Sequence, residues 1–325
     1  MPTHLIIGAG AGLVSAALFA SAAVSPSLAV ILFYLAPLPL CLAGLGWGRS
    51  AALVAAASST LIVALGLGPA AAMIFAVVFA TPIAFLVHLL LLSRQPTTPP
   101  GAPAANVEWY PPGRLVGWAA VIAGVLAGVF VLLVGYDQEA YRQSIADVLS
   151  SPAVQELDPE GKVFTPDTIE NLTALIAKAL PGMLSVTWLT IVLFNLWLAG
   201  FIVKASGRAL RPWPSLQDLE LPGGFVAVFA VAILMSFIPG LIGLLATGLA
   251  AAMLIAYVLQ GLVVIHVYSR AVPFRGLLLT AVYLGILLLG WVAILVAILG
   301  LGEPLFGLRA RSARSGQPPH DNKSN

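Results

Sequence analysis

Ala70-Ala-Ala-Met-Ile-Phe-Ala-Val-Val-Phe-Ala-Thr-Pro-Ile-Ala-Phe-Leu-Val-His-Leu-Leu-Leu-Leu92 contains no Asp, Glu, Lys or Arg. About 20 apolar residues in a helix cross the hydrocarbon core of a bilayer, and this stretch reaches that length with Thr81 and His88 as its polar side chains. Eight further runs read the same way: Leu5–Ala23, Leu28–Leu45, Ala51–Leu67, Leu115–Val134, Met183–Val203, Gly224–Pro239, Leu241–Tyr268 and Gly276–Leu301. The 325 residues are 60% hydrophobic and 9% charged, whereas soluble domains carry about 25% charged residues. The expected fold class is therefore all-α: a polytopic membrane bundle of about nine helices.

The runs group into units. Residues 1–94 form an N-terminal membrane unit of four closely linked helices. Residues 95–113 are a Pro-rich link, and proline blocks helix, so an extended connector is expected. Residues 114–306 form a C-terminal membrane unit, and 307–325 a polar tail. Within the C-terminal unit, residues 136–182 are polar and acidic and predict a small helical cap at the membrane surface. Two amphipathic faces are legible there, Tyr141, Ile145, Val148 and Leu149, then Ile169, Leu172, Ile176 and Leu180. Thr165-Pro166 is a helix start, with the hydroxyl as N-cap. Met1-Pro-Thr-His4 lacks the basic start of a cleavable signal, so the first run is expected to be a retained span.

Arg49, Arg94, Arg114, Lys204, Arg208, Arg211, Arg270 and Arg275 fall on one side of a nine-span topology and the acidic cap on the other. By the positive-inside rule this places the N-terminus in the cytoplasm and the cap outside, in a bacterial inner membrane. The tail disagrees: nine spans put it outside, yet it carries Arg309, Arg311 and Arg314.

Several chemistries find no support. Ile6-Ile-Gly-Ala-Gly-Ala-Gly12 has Leu13 where a dinucleotide fingerprint needs glycine, and the first acid in the chain is Glu108. Helix docking is the better reading, because Gly8, Gly12, Ala16 and Ala20 repeat every four residues and would admit a close neighbour, from this chain or from a partner subunit. Ala120, Gly124 and Gly128 repeat the pattern. There is no phosphate loop, no nucleophile elbow and no paired-histidine zinc helix. No acid or base lies in the middle of any run, and such groups normally relay ions in coupled carriers. The single cysteine, Cys41, can make neither an intrachain disulfide nor a cysteine metal site. A net charge of +2 without a basic patch excludes nucleic acid as a partner. No cofactor, metal or enzymatic activity is expected.

Among the polar residues within the runs are Tyr34, His88, Asn195, Gln260 and His266. The histidines lie near helix ends, where surface hydrogen bonding is the ordinary role. Asn195 and Gln260 are deeper and must find partners, since an unpaired buried amide costs roughly 1–3 kcal/mol. They either tie helices together or, with Tyr34, face a pocket for a small neutral ligand. Pro37 and Pro39 beside Tyr34 free backbone carbonyls, which membrane depth tolerates only against protein or a cavity. Two functions compete. One is a small-molecule-binding transport component without its own energy source, served by ATPase or other membrane subunits. The other is a structural or regulatory protein that binds partners through its cap or through Lys204–Leu221, where Arg211-Pro-Trp-Pro214 would present a charge and a rigid aromatic.

Three stretches, Tyr34-Leu-Ala-Pro-Leu-Pro-Leu40 with Gly44-Leu-Gly-Trp-Gly48, Gln260-Gly-Leu-Val-Val-Ile-His266, and Leu299-Gly-Leu-Gly-Glu-Pro-Leu-Phe-Gly-Leu-Arg309, together resemble the YybS-like family of bacterial membrane proteins (domain of unknown function 2232). The resemblance runs from the first span to Arg309. It implies an aspartate near position 303, where this chain keeps an acid, Glu303. It also implies an organisation similar to the substrate-binding subunits of energy-coupling-factor vitamin transporters.

Overall fold

The computed structural model describes residues 3–21, 26–95, 106–135, 137–156, 158, 163–215, 217 and 219–306. The described residues are helical almost throughout. The first unit comprises α1 (Thr3–Ala20), α2 (Pro26–Tyr34), α3 (Pro37–Trp47), α4 (Arg49–Leu67), α5 (Pro69–Phe75), a π-helical turn (Ala76–Ala80) and α6 (Thr81–Leu90). A two-stranded hairpin, β1 (Ser93–Arg94) with β2 (Glu108–Trp109), leads to α7 (Pro112–Val134). The cap holds α8 (Gln138–Leu149) and α9 (Pro152–Gln155). Then come α10 (Pro166–Ala205), α11 (Gly224–Ser236), α12 (Leu241–Tyr268), α13 (Arg275–Leu289) and α14 (Val292–Phe306).

Among the described residues seven segments are long and apolar enough to cross a bilayer: α1, Val30–Trp47, α4, Pro69–Leu90, α7, α10 and α12. The all-α membrane bundle expected from composition is the fold observed, with four departures from the expected elements.

Two departures concern length. α11 has 13 residues, about 20 Å of helix at 1.5 Å per residue, against a core of about 30 Å. The run Gly276–Leu301 is not one rod. Gly290 takes φ 59° and ends α13, a left-handed conformation that glycine adopts without steric cost. α14 then packs antiparallel to α12, with Val296 over Gly261 and Gly300 over Tyr257. It thus starts near the same end of the bundle at which α13 began. Among the described residues α13 and α14 are therefore two shorter apolar helices in place of one long span. The tail residues Arg309, Arg311 and Arg314 lie outside the described residues, as do most of 95–113 and parts of the cap.

The other two departures concern connections. The Pro-rich link opens and closes with paired strands, Arg94 opposite Glu108 and ion-paired to it. The second amphipathic cap segment is not a separate helix. It starts at Thr165, whose hydroxyl accepts from Thr168 N–H, and runs unbroken through Pro181 as the 40-residue α10.

The cap packs on the ends of the membrane helices. Tyr141 and Ile145 of α8 are buried with Val131, Ala177 and Leu244, while Val148 of the expected face is exposed. Desolvation pushes the Tyr141 phenol up to about 12.

At the opposite, arginine-rich end, cations close the helix termini. Arg49 donates to Leu91 O at 2.6 Å, and Arg211 to Leu90 O at 2.8 Å. Arg208 lies over the Trp47 ring and Arg211 over Trp109. Cations pair favourably with the carbonyls and dipole of a helix C-terminus.

Both small-residue ladders are filled from within the chain. A Cβ on Gly8 would lie 2.8 Å from Ala51 O, and one on Gly12 would strike Ser58 and Ala55, so α1 and α4 touch backbone to backbone. Ala16 is buried and Ala20 half-buried. On α7, Gly124 and Gly128 receive Leu249 and Leu245 of α12. We expect Gly12→Leu to destabilise the fold by about 1–3 kcal/mol through overpacking, read as a lowered melting temperature in detergent. Gly10→Leu has open space around its Cβ and should leave the melting temperature unchanged.

Candidate functional site

Proline leaves carbonyls without their usual donors, and α10 supplies replacements. Pro37 and Pro39 break the second crossing at Leu35–Ala36, and Leu38 N–H bonds Leu35 O instead of Tyr34 O. Tyr34 O is taken by Asn195 Nδ2 at 2.8 Å, and the neighbouring Ala36 O by Ser15 Oγ at 2.6 Å. Pro82 likewise has no N–H for Val78 O, which lies in the π-helical turn. Trp188 Nε1 of α10 donates to that carbonyl at 2.8 Å. One turn away on the same helix, Ser185 Oγ reaches Gly248 O of α12 at 2.7 Å. α10 is therefore a polar seam that ties the N-terminal unit to the C-terminal one.

The sequence-selected trio divides on this seam. Asn195 is fully buried, its second amide hydrogen bonds Ile191 O, and its Oδ1 has no partner. Tyr34 contributes its backbone carbonyl, while its ring is exposed beside Phe33. Gln260 lies apart, on α12. Its Oε1 accepts from Leu221 N–H at 2.7 Å and its Nε2 donates to Gly300 O at 2.9 Å. Asn195 and Tyr34 are thus brought together, and Gln260 joins α12 to α14 and to the loop before α11.

Two further residues look different in three dimensions. Glu303 lies within α14 and is 5% exposed; it is an acid inside the bundle, where the sequence placed it beyond the last span. Short-helix geometry hid it, because α14 continues past the apolar run. Arg211 and Trp213 do not project outward. Arg211 is buried under Trp109, which lowers its pKa by desolvation, and Trp213 packs against Gly200. The loop's charge and aromatic are turned into the protein because each finds more contact there than in water.

The largest cavity among those described, about 630 Å³, is a groove between α4 and the π–α6 segment. Small side chains make it: Ala56 and Ala57 on one wall, Ala80 and Ala84 on the other. Arg49, Thr81 and His88 add polar groups, and exposed Leu53 and Phe85 flank its mouth. The π-helical turn rotates Thr81 and Phe85 relative to a continuous α-helix, a distortion frequent at functional sites. A second cavity, about 370 Å³ and apolar, lies between α7, α10 and α12 beneath Trp213 and Pro214. Neither cavity is lined by Tyr34, Asn195 or Gln260. No group of three or more acid, histidine or cysteine side chains suited to a metal occurs among the described residues.

A family model described as a predicted membrane protein (DUF2232) matches residues 13–302. No curated protein and no solved structure matches the chain.

Proposed function

We propose a role for this chain, which belongs to the DUF2232 family of predicted membrane proteins, as a membrane-embedded binding subunit for an amphipathic small molecule. The observation that carries this reading is the groove between α4 and α6. Its alanine walls fit an apolar body, and Arg49, Thr81 and His88 can hold a polar head. Because the groove's flanking residues are exposed on the outer surface of the bundle, a ligand dissolved in the bilayer can enter sideways. In this reading Asn195 and Gln260 hold helices together and do not contact the ligand. Transport, if driven, takes its energy from separate subunits such as ATPases, and the chain performs no catalysis of its own. This rests on the absence of a phosphate loop from the sequence and on the resemblance to energy-coupling-factor substrate-binding subunits.

The test is photolabelling of the purified protein with a diazirine-bearing fatty alcohol, followed by peptide mapping. Labels are expected on α4 and α6. Ala57→Phe with Ala84→Phe fills the groove and should lower labelling there at least about tenfold, the cost of losing one well-filled apolar site, with an unchanged melting temperature. Labelling spread evenly over all lipid-facing helices would refute the groove as a site. Copurified ATPase subunits would support the transport role, and envelope proteins in their place would favour a scaffold.

The orientation proposed with it puts the arginine-rich end in the cytoplasm of a bacterial cell and the cap outside the inner membrane. Cys41 is buried, so introduced cysteines report alone. Glu139→Cys should react with an impermeant maleimide in intact cells, and Ser206→Cys only after permeabilisation. The reverse pattern overturns the orientation.

A further inference from the structure

The cap is an acidic segment: residues 135–182 hold eight Asp and Glu against Arg142, Lys162 and Lys178. Two of those three cations nevertheless converge on one cleft. Three elements build it. α8 contributes Gln138 and Arg142, four residues apart and so on one face; α10 contributes Lys178; and the α11–α12 turn contributes Phe237, Ile238 and Pro239. The cleft encloses about 460 Å³. Arg142 and Lys178 are its charged lining residues, and no carboxylate lines it. The nearby acids Glu139 and Glu170 line a different groove, on the other side of Arg142. Among the described residues neither Arg142 nor Lys178 makes an ion pair.

Two cations lining one cleft, neither of them ion-paired among the described residues, repel each other, and Arg142 is half-buried, which raises the cost. In a segment so rich in carboxylates, a cleft lined by two cations and by no acid is complementary to an anion from outside the chain, even though Arg142 also borders the groove that holds Glu139 and Glu170. The cleft also sits at the membrane boundary. Lys178 is one turn before Pro181 and the apolar part of α10, and Phe237 and Ile238, at the end of apolar α11, are 80% and 45% exposed. An anion that presents a phosphate to Arg142 and Lys178 while its apolar part lies along Phe237 and Ile238 matches both halves.

We propose that this cleft binds the headgroup phosphate of an anionic phospholipid from the leaflet on the cap side. The guanidinium of Arg142 offers paired donors to phosphate oxygens and Lys178 a point charge. Gln138, also in the lining, can donate to the remaining oxygens, and the Thr247 hydroxyl, whose hydrogen goes to Gly243 O, can accept from a glycerol hydroxyl. The site is separate from the α4–α6 groove and stands whether or not that groove binds a ligand.

Native mass spectrometry of the purified full chain, exchanged into micelles with either phosphatidylglycerol or phosphatidylcholine, reads the retained lipid. The intact protein is expected to retain phosphatidylglycerol at least about tenfold better, given that each basic residue near a membrane surface strengthens anionic-lipid binding about fivefold. Arg142→Gln and Lys178→Gln should each weaken retention about fivefold, and the double variant should abolish the preference. Arg275→Gln, at the other end of the bundle, should leave it intact. Because neither side chain bonds the protein, melting temperatures should not move in lipid-free detergent. Equal retention of the two lipids overturns the proposal, as does undiminished retention by the double variant. Displacement of phosphatidylglycerol by millimolar inorganic phosphate would also overturn it, since the site would then recognise a free ion.

Discussion

Gln260→Leu is expected to lower the melting temperature of the detergent-solubilised protein more than any other single substitution of a spanning polar residue. Gln260 is fully buried and its amide closes two gaps at once, donating to Gly300 O and accepting from Leu221 N–H. Leucine matches much of its volume but strands both backbone groups. A buried group left unpaired costs about 1–3 kcal/mol. In membrane proteins the measured coupling is smaller, averaging about 0.6 and reaching about 1.7 kcal/mol, because the inserted unfolded chain finds other partners. Two stranded groups therefore predict a loss of about 1–3 kcal/mol. Position matters as well as number. Gly300 packs against the backbone of Tyr257 and Gly261, so losing this bond loosens α14 at its close approach to α12. Detachment of α14 should show as faster hydrogen exchange in α14 than in α10. An unchanged melting temperature would mean that Gln260 is not a structural tie, and would return it to the ligand reading.

The second large effect is expected at the seam. Trp188→Phe keeps an aromatic ring but removes the donor to Val78 O, and Asn195→Leu removes the donor to Tyr34 O. Each strands a carbonyl without its α-helical donor: Pro82 has no N–H for Val78 O, and Leu38 N–H is turned to Leu35 O and away from Tyr34 O. Single losses of about 0.6–1.7 kcal/mol are expected. The two carbonyls lie on different helices, so the double variant should sum the singles to within about 0.5 kcal/mol. Thermal unfolding of the four proteins closes the cycle. A double variant no worse than either single would show that α10 does not act as a two-point latch. Asn195 adds a distinction of its own. Its Oδ1 is buried without a partner, so Asn195→Leu removes an unpaired acceptor along with the donor, and its loss should fall at the low end of the range.

Much of the helical content was legible because lipid imposes a simple rule. A segment facing hydrocarbon must be apolar and must satisfy its own backbone, and only a helix of about 20 residues does both while crossing. That rule located seven crossings and the cap from residue types alone. It failed where length, not polarity, decided the outcome. α11 is short yet reaches from Gly117 near the start of α7 to the cap cleft, and Gly276–Leu301, apolar enough to cross, is divided at Gly290. A glycine in an apolar run gives no sign of whether its φ will be positive, since the neighbours that stabilise a turn there are distant in sequence. The same limit hid Glu303, which reads as the first residue past a span until the break at Gly290 resets where the final helix starts and ends.

The polar residues show the division most sharply. Their number and depth are a property of the sequence, and so is the requirement that Asn195 and Gln260 each find a partner, because desolvating an amide is costly wherever it is buried. Which partner each finds depends on approach between segments 39 to 161 residues apart, and no local pattern encodes that. Pro37 and Pro39 announced free carbonyls in the second span, whereas only the packing of α10 assigned Asn195 to Tyr34 O there and Trp188 to Val78 O in the π-helical turn. The groove and the cap cleft are likewise tertiary. Alanines at 56, 57, 80 and 84 are ordinary helix-packing residues in one dimension, and Arg142 and Lys178 are two scattered cations in an acidic segment. The sequence alone determines that this chain lives in a membrane as a helical bundle, because solvation acts residue by residue. The tertiary structure alone decides where that bundle leaves space and uncompensated charge, because a cavity exists only between surfaces that the fold has brought together.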